Sequence, residues 1–277
     1  MRVLVLLLLL TSSAQAKLDI QHWTTPEGTK VFFAQTKGLP ILDIQLNFDA
    51  AASRDGDQFG LASLTSSLLG TATQYHNEEQ IINTFESVGA QFSNSSLKDM
   101  SIVSLRTLTR QPILKKSLDI FTEVITQPSF EQKYLTREKR QTLRAIEAAK
   151  QSPASVASLA FNEAVFGDHP YAHAKIGTEK SINQISLQDL KQHYDKFYVA
   201  KNLTIALVGD ITKVKAKQIA RQISHGLNVG KKAKNNPVIT ALKSSQKIHI
   251  EFPSKQTHLL IGQSGVNRSH PDYTLCI

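Results

Sequence analysis

Gly60-Leu61-Ala62-Ser63-Leu64-Thr65-Ser66-Ser67-Leu68-Leu69-Gly70-Thr71 is the stretch on which the reading of this chain turns. From Phe59 to Leu69 the apolar residues Phe59, Ala62, Leu64, Leu68 and Leu69 recur with helical spacing, and Gly70 ends the run. Ser63, Ser66 and Ser67 fall three and four positions apart, so a helix sets their hydroxyls on one face. A serine nucleophile requires a base within hydrogen-bond reach that a third group orients. No pattern in the chain supplies that pair, so the hydroxyls read as small groups filling space.

On the N-terminal side the sequence alternates as strands do, over Ile20 to Thr24, Lys30 to Gln35 and Ile41 to Phe48, with turns at Pro26-Glu27-Gly28 and Gly38-Leu39-Pro40. On the C-terminal side Asn77 caps a helix from Glu78 to Val88, closed by Gly89. Strands follow over Gln91 to Ser95 and Met100 to Leu108. Helices are then predicted from Pro112 to Thr126, Phe130 to Gln151, Pro153 to Phe166 and, from a capping box at Ser186 and Asp189, through Tyr198. Leu203 to Val208 reads as a buried strand and Lys213 to Ser224 as a helix. Gly226 to Pro237 reads as a linker, and Lys247 to Phe252 and His258 to Gly262 as two further strands. Strands, then helices, then strands, with hairpin turns between neighbours, favour α+β over a doubly wound parallel sheet.

Residues 1–16 read as a secretory signal: Arg2, an apolar run from Val3 to Leu10, and Ala14-Gln15-Ala16 as a cleavage site before Lys17. That run is far shorter than the roughly 20 residues of a membrane span. Cys276 is the single cysteine, so no internal disulfide is available and packing must supply stability. The net charge of +9 is concentrated, because nine Lys or Arg and no Asp or Glu lie between Ile211 and Lys247. Aromatic residues for base stacking are absent there, so this stretch reads as a solvated helix face and linker and not as a nucleic-acid surface. The charged helix from Glu131 to Lys150 reads likewise as a solvated face. His169-Pro170-Tyr171-Ala172-His173 has two histidines four apart, but Pro170 argues for a loop that packs the domain rather than a metal-binding helix.

A set of short motifs runs through the chain: Ser53-Arg54-Asp55 before Gly60-Leu61-Ala62, Gly70-Thr71, Gly89-Ala90, His169-Pro170-Tyr171, Gly177-Thr178 before Ser181-Ile182, Phe197-Tyr198, Asn202-Leu203 and Val208-Gly209-Asp210. Gly262-Gln263, Arg268 and Pro271-Asp272-Tyr273 complete it. With these the chain resembles the pitrilysin or insulinase family of zinc metallopeptidases, especially bacterial members related to the mitochondrial processing peptidase. The family's inverted zincin motif is H-x-x-E-H on a helix. Here the frame is kept and the centre is not.

The resemblance implies a pitrilysin-type α+β domain, with a mixed, mostly antiparallel sheet and packed helices, over residues 17–228, and a linker with the incomplete start of a second such domain over 229–277. It places the two zinc histidines on Ser63 and Ser67, the general base on Ser66 and the third ligand on Ala145, with Glu147 as a substitute only after a register shift. Serine hydroxyls and a methyl group do not replace imidazole and carboxylate, and without metal little lowers the pKa of water. The implied protein has no zinc or other cofactor and no membrane span. It is exported to the periplasm or secreted, and as a silent subunit binds unfolded peptide together with an active pitrilysin-family paralogue. Two alternatives remain open: an active zinc peptidase with a non-standard ligand set drawn from Glu147, Glu163, His169 and His173, and a truncated remnant of a longer gene.

Overall fold

The computed structural model describes residues 19–266 together with 271 and 273. The strands are β1 (Ile20–Thr24), β2 (Lys30–Gln35), β3 (Ile41–Phe48), β4 (Gln91–Ser96), β5 (Ser101–Leu108) and β6 (Leu203–Gly209). The helices are α1 (Leu61–Leu68), α2 (Glu78–Ser87), α3 (Ile113–Thr126), α4 (Gln132–Lys150), α5 (Pro153–Phe166), α6 (Glu179–Gln184), α7 (Leu187–Phe197) and α8 (Lys213–His225). The six strands form one sheet in the order β1-β2-β6-β3-β5-β4, antiparallel throughout except where β2 runs parallel to β6. This is the α+β arrangement that the order of elements predicts.

Side-chain alternation decides which face of the sheet the helices cover. Leu42, Ile44, Leu46 and Phe48 of β3, Val103 and Leu105 of β5 and Leu203, Ile205 and Leu207 of β6 are buried, and they join Leu64 and Leu68 of α1 and Phe121 of α3 in one core. The strand predicted as buried, β6, is covered on one face only. It lies in mid-sheet between β2 and β3, yet Val208 is 39% exposed on the opposite face.

The helix ends follow local chemistry. Asn77 and Gln80 form a reciprocal capping box at α2, and Ser186 and Asp189 do the same at α7. α6 falls outside the predicted set. Six residues are too few to show a period, but Thr178 and Ser181 cap it reciprocally.

Two predicted strands need correction. Residues 247–252 and 258–262 form no ladder among the described residues, and most of them are exposed. Alternating apolar residues become a strand only when a neighbouring strand accepts their N–H and C=O groups. The stretch after α8 also lies closer to the domain than a free linker would. Asn228 and Val229 accept hydrogen bonds from Ala200 and Lys201, Ala233 donates to Asn202, and Asn236 donates to Asp99.

Candidate functional site

Helix α1 is held at its start by a carboxylate from outside it. Gly60 caps the helix with a φ of 94°, and the Asp55 carboxylate accepts the N–H of Gly60 and of Ala62, each at 2.8 Å. The Asp55 side chain is fully buried, and negative charge at a helix N-terminus satisfies donors that have no partner within the helix. Arg54 holds the preceding corner through a two-pronged pair with Asp49 at 2.5 and 2.6 Å. These contacts give Arg54 and Asp55 a structural role.

A loop from α5 to α6 closes over the same end. Gly177, with a φ of 79°, comes so near Phe59 that an added Cβ would lie 2.2 Å from the Phe59 carbonyl oxygen. Ser181 Oγ donates to that carbonyl at 2.6 Å. His173 stacks on Phe59 with ring centroids 4.2 Å apart, and its Nε2 lies 3.4 Å from Asp55 without a hydrogen bond. Lys98 donates to the carbonyls of Tyr171 and His173, and burial lowers its pKa. The Tyr171 hydroxyl donates to Asp99 at 2.5 Å, and burial together with that carboxylate pushes its pKa up to about 12.

Each serine on the helix face is engaged within the fold. Ser63 Oγ donates to the Lys175 carbonyl at 2.7 Å, and Ser67 Oγ donates to Leu64 of its own helix at 2.9 Å. Ser66 is buried and lies 3.5 Å from Ser101 Oγ, which in turn lies 2.7 Å from the Tyr198 hydroxyl. Burial pushes the Tyr198 pKa up to about 12, so it offers no base near neutrality. The hydroxyls hydrogen-bonded around Ser66, those of Ser101 and Tyr198, are not bases near neutrality.

The remaining candidates do not converge. Ala145 is exposed on α4, a helix that packs against α1. Glu147 stands two residues on, about 200° around the helix axis from Ala145, and pairs with Lys150 at 3.1 Å. Glu163 is exposed on α5, and His169 Nε2 lies 3.0 Å from the Pro237 carbonyl. Among the described residues no three of His, Cys, Asp and Glu gather closely enough to hold a metal ion. The donor set proposed for a non-standard zinc site is therefore scattered. Hydroxyls already bonded within the fold, with an exposed methyl group, do not fit zinc.

Sequence reasoning missed Asp55 as the anchor of α1, Lys98 as the clamp of the loop, and Asn94. Asn94, on edge strand β4, donates to the carbonyls of Ser66 and Leu69 at 2.8 Å each, fastening the strand to the C-terminal turn of the helix. Asp55 belongs to the motif Ser53-Arg54-Asp55, whereas Lys98 and Asn94 carry no local signal.

The family profile described as Insulinase (Peptidase family M16) matches residues 40–179, and that described as Peptidase M16 inactive domain matches residues 184–276. The chain belongs to the M16 peptidase family. Within M16 it is similar to a protein from Helicobacter pylori named non-peptidase homolog YmxG, with 27% identity over 86% of this chain and 54% of that protein. It is also similar to a solved M16 inactive domain from Pseudomonas fluorescens, at 41% identity and a TM-score of 0.90, over 92% of this chain and 62% of that one. The periplasmic protease PqqL from Escherichia coli has the same fold, with a TM-score of 0.72 at 19% identity, over 81% of this chain and 26% of that one. This M16 chain spans about half the length of the curated relatives it matches. No helix among its described residues is long and apolar enough to cross a membrane.

Proposed function

We propose that this M16 chain is an exported, catalytically silent subunit that holds an unfolded peptide in extended form and encloses it together with an active family paralogue. Residues 17–228 form the first M16 unit, and residues 229–277 belong to the linker and the start of a second. The observation that carries the reading is the contrast between an intact frame and an emptied centre. Asp55, Gly177, Ser181 and Asn94 hold α1 in place, while Ser63, Ser66, Ser67 and Ala145 occupy the positions that the family resemblance assigns to zinc ligands and base.

Edge strand β4 supports the peptide-binding part. Among the described residues it pairs only with β5 and runs beside α1, so its outer row of N–H and C=O groups is available to an extended chain. The apolar leader ending at Ala16 supports export, and a relative of the same fold is described as periplasmic.

The test uses the purified mature chain, a fluorescent unstructured peptide and an active M16 peptidase of the same organism. The expected result is peptide binding without cleavage, no change with a chelator, zinc far below one equivalent, and faster cleavage when the active peptidase is added than that enzyme gives alone. Zinc at one equivalent, or hydrolysis that a chelator abolishes, would overturn the reading.

A further inference from the structure

On the face of α4 turned towards α6 lies an open cleft of about 490 Å³. Lys139, Arg140, Arg144 and Lys150 line it, with half-buried Leu143 and buried Ile146 between them. Its two carboxylates are already taken, because Lys150 Nζ lies 3.1 Å from Glu147 and 3.4 Å from Glu179. Elsewhere on the helix the cations have acidic neighbours, Lys133 with Glu131 and Arg137 with both Glu78 and Glu138.

Arg140, Arg144 and Lys139 form no ion pair among the described residues, and the two arginines stand one turn apart, where like charges repel. Lys139 beside them donates to the Asn183 carbonyl at 3.0 Å, and burial lowers its pKa. The cleft thus sets four cationic side chains against two carboxylates, both of them paired with Lys150, next to an apolar strip.

Shape and spacing choose among anionic occupants. The lining has no aromatic ring for a base to stack on, which disfavours single-stranded nucleic acid. Side chains at i and i+4 of a helix lie about 6 Å apart, and alternate side chains of an extended peptide lie about 7 Å apart on one face. Carboxylates at alternate positions of an extended segment therefore match Arg140 and Arg144, and arginine binds carboxylates through two parallel hydrogen bonds.

We propose that this cleft docks an acidic, extended segment of a partner protein, with carboxylates at alternate positions engaging Arg140 and Arg144. The site is independent of the silent peptidase centre, since Leu143 at the middle of the cleft and Ala145 are separated by about 200° around α4.

The experiment titrates the full mature chain into a labelled Glu-Ser-Glu-Ser-Glu-Ser peptide at low salt and reads fluorescence anisotropy. A Gln-Ser-Gln-Ser-Gln-Ser peptide, inorganic phosphate and phosphatidylglycerol vesicles serve as alternatives. The expected result is binding of the acidic peptide alone, weakened at least about tenfold by Arg140→Gln with Arg144→Gln, and less than about twofold by Lys213→Gln with Lys217→Gln on α8. No binding of the acidic peptide, an unchanged Kd in the arginine variant, or equal losses in both variants would overturn the proposal. Vesicle or phosphate binding that depends on the two arginines, with no binding of the peptide, would overturn it in favour of a lipid or free anion. All four substituted residues are surface side chains, and circular dichroism is the check that the variants remain folded.

Discussion

At Asp55 a fully buried carboxylate takes two backbone N–H groups of α1 while a stacked histidine covers it, so one side chain joins the corner after β3 to the helix that carries the three serines. Hydrogen bonds to a charged group contribute about 1.5–3 kcal/mol each, and removing one partner leaves the other buried and unsatisfied. Replacing Asp55 by Ala strands both N–H groups at the start of α1. The expected loss is about 3 kcal/mol, read as a lower urea midpoint with an unchanged slope. Asp55→Asn keeps one oxygen acceptor but turns an NH2 group towards a donor, so it recovers only part of the loss. A midpoint change equivalent to less than about 1 kcal/mol in the alanine variant would mean that water or a neighbour replaces the carboxylate.

Helix α1 separates what the chain reveals locally from what it reveals only on folding. Its existence, its approximate ends and the one-sided placement of Ser63, Ser66 and Ser67 follow from spacing, as do β1, β2 and β3, whose bounds match the reading from alternation. The hydroxyl group of Ser66, Ser101 and Tyr198 was not legible, because it joins residues 35 and 97 positions apart. Residues 247–262 err in the other direction: their alternation is real, but a strand is a property of a pair. The clustering of Arg140 and Arg144 in a cleft, where the sequence suggested a solvated face, depends on α6, a helix too short to show a pattern. Ser63, Ser66, Ser67 and Ala145, proposed to stand at the family's ligand and base positions, can be tested by restoring those side chains. The fourfold variant Ser63→His, Ser66→Glu, Ser67→His, Ala145→Glu is expected to bind about one zinc, since it restores two imidazoles and a carboxylate as ligands. Ser66 is 2% exposed, so the new carboxylate there costs stability in the apo variant, and zinc raises its Tm by mass action. Binding of zinc by the wild type as tightly as by the variant, or by neither, would refute the register of the assignment.

Across the whole molecule the corner from Phe48 to Asp55 is a joint between sheet, α1 and α7, and its response to acid follows from a buried histidine. His193 of α7 is 3% exposed, packs on Phe197 with ring centroids 4.8 Å apart, and lies with Nε2 3.1 Å from the Ala50 carbonyl. A neutral ring donates that hydrogen bond. Burial lowers the pKa of His193 below its ordinary value of 6.5, outweighing the bond to Ala50 and the attraction of Asp55, while Lys196 adds to the depression. The unfolded chain therefore takes up a proton near pH 6.5 that the folded chain refuses. Stability from this group is fully present above about pH 6.5 and is lost as pH falls below it, at up to about 1.4 kcal/mol per pH unit. Glu78 adds a second, lower window. The Arg137 guanidinium holds its carboxyl below 4.5, so that contribution is present above the unfolded value and is lost as pH falls through the folded one, reduced by solvent screening. The urea midpoint of the wild type is thus expected to fall between pH 7.5 and 5.5, and again below pH 4.5. His193→Gln, which keeps an N–H donor for Ala50 without a titrating ring, is expected to flatten the upper fall and leave the lower one. Equal slopes for variant and wild type between pH 7.5 and 5.5 would show that His193 does not set the acid limit of this joint.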